Sequence, residues 1–141
     1  MKNLILLFVL LSIPAAFAQA PSQQLRAIAQ KYVDAFEAHD LKQLKKVTTS
    51  NFISNTGGER GWRDRFKKLK AQNKSKGKRL LVKNLKVAES GGHTYVRFRA
   101  GDPMPGGQWF VFKKEGTRWY IDDLVNDFNP TEGAKELSGG E

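Results

Sequence analysis

The chain has 141 residues, no cysteine, two histidines and a formal net charge of +10. That length suits one core of ordinary size. The missing thiols exclude disulfides, thiol catalysis, iron–sulfur clusters and zinc sites with thiolate ligands. Two histidines are too few for a histidine-rich metal site, so neither a metal nor a cofactor is expected.

Residues 1–18 read as a secretory signal peptide. Lys2 supplies the positive start, and Leu4 to Ile13 is an apolar run broken only by Ser12. Ala16-Phe17-Ala18 puts small residues at both recognition positions before a cut after Ala18. A cut after Ala20 would leave Pro21 directly behind the scissile bond, which disfavours it. The rival is an uncleaved anchor, but a spanning helix needs roughly 20 apolar residues and Pro14 ends the run short of that. Lipid attachment is excluded for want of a cysteine. The expected product is exported, periplasmic or secreted, without a transmembrane segment once cleaved. It has one domain over residues 19–128 and a disordered polar tail over 129–141.

Leu25, Ile28, Ala29, Tyr32, Val33 and Phe36 recur at helical period and predict a first amphipathic helix, with Ser22 as its cap. The pattern stops at His39, and Asp40 is placed to cap a short helix through Leu41, Leu44 and Val47. Thr48 to Asn51 ends that helix, and Phe52-Ile53 reads as a brief strand or anchoring pair. After Gly57-Gly58, the residues Trp62, Phe66 and Leu69 resume helical spacing.

From Leu80 the period changes to two. Ser90-Gly91-Gly92 is a hairpin turn, and Thr94 to Arg99 alternates. A loop over residues 101–107 leads to the apolar run Trp109 to Phe112. Glu115-Gly116-Thr117 turns again into Trp119-Tyr120-Ile121. Helices first and then a meander of about four strands predict an α+β fold, with N-terminal helices packed on a curved antiparallel sheet. The run Trp109–Phe112 offers large apolar groups to both faces of that sheet. A single helical layer leaves half of them wet, so either another part of the chain or a second copy covers the second face, and a homodimer through the sheet is expected.

These residues resemble the nuclear transport factor 2-like superfamily, exported bacterial type. The opening matches in the helix Leu25–Phe36, the Ala38-His39-Asp40 break, the helix Leu41–Val47 and the pair Asn51-Phe52. The close matches in the glycine turn before Thr117-Arg118-Trp119-Tyr120-Ile121-Asp122-Asp123-Leu124. The resemblance covers residues 22–128. It implies a cone-shaped domain that encloses a pocket and frequently dimerises through its sheet. It does not fix a function, because members include isomerases, dehydratases, hydrolases and exported proteins without evident catalysis.

Charge is the sharpest local feature. Between Glu59 and Lys86 twelve basic residues face two acidic ones, a net +10, and the rest of the domain is nearly neutral. On a helical wheel Arg60, Arg63, Lys67, Lys70 and Lys74 cluster about a third of a turn from Trp62, Phe66 and Leu69. Such a face suits an anionic envelope polymer, an anionic lipid or an acidic protein. Without exposed aromatics interleaved among the cations, no specific nucleic acid is expected. The plain alternative is a solvated lysine-rich face.

For catalysis, the resemblance implies an aspartate base and a tyrosine or protonated carboxylate at the developing oxyanion. The candidates are Tyr32 on the first helix and Asp123, beside Asp122, on the last strand. Each also reads as an ordinary core tyrosine or strand-end carboxylate, and His39 and His93 read as loop histidines. No carboxylate falls among core positions of the early strands. Candidate pocket-lining residues are Tyr32, Trp62, Phe66, Trp109 and Trp119. The expected function is thus a non-catalytic binding or accessory domain. The alternatives are an enzyme acting on a small hydrophobic molecule in the cone and a docking subunit of an envelope assembly.

Overall fold

A computed structural model describes residues 21–72, 79–100, 108–126 and 135–137. The leader, Lys74, the last two residues of the expected domain (127–128) and residues 129–134 and 138–141 of the expected tail lie outside them.

Four helices precede the sheet: α1 (Pro21–Glu37), α2 (Leu41–Lys45), α3 (Ser50–Asn55) and α4 (Gly58–Gln72). On α1 the predicted stripe is the buried side, with Leu25, Ala29, Tyr32 and Val33 in the core. The α1–α2 corner is fixed by its backbone. His39 adopts a left-handed φ of 51°, its N–H donates to the Phe36 carbonyl, and the Asp40 N–H donates to that of Ala35. Together these form a Schellman close. The Asp40 carboxylate then accepts from the Gln43 N–H and starts α2.

Phe52-Ile53 is not a strand. The Thr49 hydroxyl accepts from the Phe52 N–H and caps a helix there, so residues read as a helix end instead begin α3. The strand-like pairing lies just upstream. Val47 and Thr49 exchange backbone hydrogen bonds with Ile121, and Thr48 bridges Ile121 in parallel.

The sheet holds β1 (Val82–Ser90), β2 (His93–Ala100), β3 (Trp109–Glu115), β4 (Arg118–Val125) and β5 (Lys135–Leu137) in the order β4-β3-β2-β1-β5. Neighbouring strands pair antiparallel throughout this order, and the helices pack on one face. The fold is α+β, as the order of sequence patterns predicts. Gly91 and Gly92 both take positive φ, the condition for the tight turn between β1 and β2.

Two details depart from the sequence reading. Strict alternation fails in β1, where the register shifts between Lys83 and Lys86 and Asn84 turns left-handed. This bulge brings Val82 and Leu85, three residues apart, into the same core. The disordered tail expected over 129–141 is interrupted too, because Lys135–Leu137 pairs with β1 at Leu85–Val87.

The helix-side core joins α1, α3 and α4 to Val96, Phe98, Phe110, Phe112 and Ile121 of the sheet. Trp109 and Val111 lie outside that cluster, yet they are only 4% and 9% exposed. These two side chains of the second face are thus covered within the chain itself. Among the described residues Leu81 is the one exposed large hydrophobic. No described helix is long and apolar enough to cross a membrane.

Candidate functional site

The helix α4 divides its residues among three directions. Trp62 and Phe66 are buried. Arg60, Arg63, Lys67 and Lys70 are all exposed on the flank the wheel predicts, and Arg65 leaves from the opposite flank.

The basic flank is joined to α2 through one acidic residue. Glu59 accepts from Lys45 and, at 3.2 Å, from Arg63. The Lys45 hydrogen bond is the main cause holding the Glu59 carboxyl below its usual range. Among the described residues Arg60, Lys67 and Lys70 have no acid partner. Asp64, which sequence spacing pairs with Arg60 or Lys68, pairs with neither. Arg63, Lys67 and Lys70 also rim a shallow depression of about 320 Å³ that has His39, Leu41 and Phe66 as its remaining walls. The His39 ring meets that of Phe66 edge-on at 5.7 Å. The loop histidine thus belongs to the basic face, while His93 is exposed at the β1–β2 hairpin.

A cavity of about 650 Å³ opens where α1, α3 and α4 meet the ends of β2, β3 and β4. Its walls are aromatic. Tyr32 meets Phe110 at 5.3 Å and Phe52 at 5.9 Å, and Trp62 stacks on Phe52 at 6.1 Å. Trp62 is fixed by a 2.8 Å hydrogen bond from its indole N–H to the Thr56 hydroxyl. No described residue hydrogen-bonds the Tyr32 hydroxyl, and its oxygen remains open to the cavity. Burial pushes the Tyr32 phenol up to about 12, with the positive charge of Arg65 pulling it the other way. It is therefore a neutral donor near pH 7.

Tyr32, Trp62 and Asp123 come together at this cavity. The other expected lining residues do not. Phe66 packs behind Trp62 at 5.4 Å. Trp119 lines a larger, more open groove of about 900 Å³ between α1, α2 and the β3–β4 turn. Trp109 is buried outside the helix-side core. The reason is strand parity: β3 sends Phe110 toward the helices, so Trp109 points away.

The aspartates hold secondary structure. Asp122 accepts from the Thr49 hydroxyl at 2.7 Å, and its carbonyl accepts from Asn51. Asp123 spends one oxygen on the Leu124 N–H at 2.8 Å and the other on Asn55 at 3.2 Å. These bonds clip α3 to β4. Among the described residues no cluster of acidic or histidine side chains is built to hold a metal ion.

Arg65 is the cavity residue that sequence reasoning missed. Its guanidinium lies over the Trp62 ring, and no described acid pairs with it. The available signal was its angle on the wheel, which separates it from the other cations of α4. No protein-family model and no curated protein matches the chain.

Proposed function

We propose that this chain is an exported, non-catalytic binding domain of the nuclear transport factor 2-like kind, which engages a polyanion of the cell envelope through the outward flank of α4. The observation that supports it is the run Arg60, Arg63, Lys67, Lys70: four exposed cations on one helical flank, of which Arg63 alone is relieved by an acid among the described residues. Like charges held side by side on a helix destabilise it slightly. A phosphate- or carboxylate-rich partner removes that repulsion and gains counterion release. The apolar rings nearby are committed to the core, which favours backbone-charge recognition over base stacking.

The non-catalytic part of the reading rests on the cavity. Asp122 and Asp123 are engaged in bonds that hold α3 to β4. Heparin-column retention across a salt gradient tests the binding. The purified protein is expected to elute late, and the triple variant Arg60→Gln, Lys67→Gln, Lys70→Gln early. Early elution of both would leave α4 a solvated face and end the reading.

A further inference from the structure

We propose that the cavity is a second, separate binding site, for a small apolar molecule bearing one carboxylate, with the Tyr32 hydroxyl and the Arg65 guanidinium as the groups that receive the carboxylate.

The polar end of the site is set by two residues. Tyr32 is only 8% exposed and its hydroxyl has no partner among the described residues, while its ring is locked among Phe36, Phe52, Phe98 and Phe110. The hydroxyl faces the cavity and not a protein acceptor, and a donor held rigidly at a cavity wall is placed to meet a ligand acceptor. Arg65 supplies the charge. Its guanidinium is oriented by the Trp62 face, has no described acid partner, and is planar, which suits the two oxygens of a carboxylate.

Two carboxylates also border the cavity, and neither forms an ion pair with Arg65. Asp123 accepts from Asn55 and from the Leu124 N–H, and Glu37 is solvent-exposed at the last turn of α1. The positive charge of Arg65 acts on the Tyr32 hydroxyl. The rest of the wall, Val33, Phe36, Phe52, Phe110 and Leu124, calls for an apolar body. The volume, about 650 Å³, lies in the range of small-molecule sites. A neutral or cationic amphiphile leaves the Arg65 charge unanswered, so the carboxylate decides selectivity.

Calorimetric titration with decanoate and with its neutral amide, decanamide, tests the site. The wild-type protein is expected to bind one decanoate saturably and decanamide at least about tenfold more weakly, a difference of about 1.4 kcal/mol. Tyr32→Phe and Arg65→Gln are each expected to lose about tenfold for decanoate, with urea midpoints showing both variants folded. Lys67→Gln and Lys70→Gln on the outer flank should leave it unchanged. Absent saturation, equal affinity for the amide, or loss that follows Lys67 and Lys70 instead of Arg65 overturns the proposal. The site does not depend on the polyanion reading: a protein that binds decanoate and ignores heparin keeps this site and loses the other.

Discussion

The Arg65 guanidinium lies 4.7 Å from the centre of the Trp62 ring. That contact separates one cation of α4 from the others. Arg60, Arg63, Lys67 and Lys70 project away from the core, whereas Arg65 stays beside an aromatic wall at the cavity mouth. One helix therefore presents charge to two different environments.

The two partners of this contact should differ sharply in their effect on stability. Trp62 is 2% exposed and hydrogen-bonded to Thr56, so Trp62→Ala is expected to cost about 3–5 kcal/mol. Arg65→Gln removes only a cation–π contact at an exposed site, roughly 0.5–1 kcal/mol. Urea unfolding of both variants checks the contrast. Comparable losses would mean that Arg65 is structural.

Tyr32→Phe deletes a hydroxyl with no described partner and keeps the ring contacts. That hydroxyl opens on the cavity, so its removal leaves no buried group unpaired. The variant is therefore expected to lie within about 1 kcal/mol of the wild type. A drop of more than about 1 kcal/mol in urea would show that the hydroxyl is held by the fold.

Thr49 joins two elements, α3 and β4, through one hydroxyl: it accepts from the Phe52 N–H and donates to Asp122. Thr49→Val keeps the shape and removes both bonds. A loss of about 2 kcal/mol is expected, with amide exchange faster in α3 than in α1. Uniform exchange across both helices would contradict the local clamp.

Asp34 links α1 to the approach of β1. Arg79 donates to both of its oxygens, at 3.0 and 2.6 Å, and Gln30 adds a third bond. The Arg79 hydrogen bond is the largest cause holding the Asp34 carboxyl below its usual range. A depressed folded value means that this stabilisation is complete above the unfolded value near 4 and is lost as pH falls through the folded one. Arg79→Gln is expected to shift the stability curve down by a constant above about pH 5 and to rejoin the wild type in acid. Curves that stay parallel down to pH 2 would exclude the link.

Much of the fold was legible because the signals were local and redundant. The stripe on α1, the Asp40 cap and the Gly91-Gly92 turn each state one geometry. The failures have a common cause in non-local competition. Phe52-Ile53 looks like a strand pair, yet a single hydroxyl on Thr49 caps it into a helix. The bulge at Asn84 breaks a period that sequence alone cannot interrupt. Strand parity explains the tryptophans, since β3 sends Phe110 inward and Trp109 outward. At the site, the basic flank follows from helical angle alone. Arg65 and the open Tyr32 hydroxyl required knowing which core side chains leave a space between them.

The central claim, polyanion capture by the outer flank of α4, is tested most directly by the affinity for a defined heparin fragment measured across salt concentrations. For the wild type the logarithm of the affinity is expected to fall steeply and linearly with the logarithm of salt. Arg60→Gln, Lys67→Gln and Lys70→Gln together should weaken binding and flatten the slope by roughly one for each cation removed. Superimposable lines for the two proteins would contradict the assignment of the site to α4.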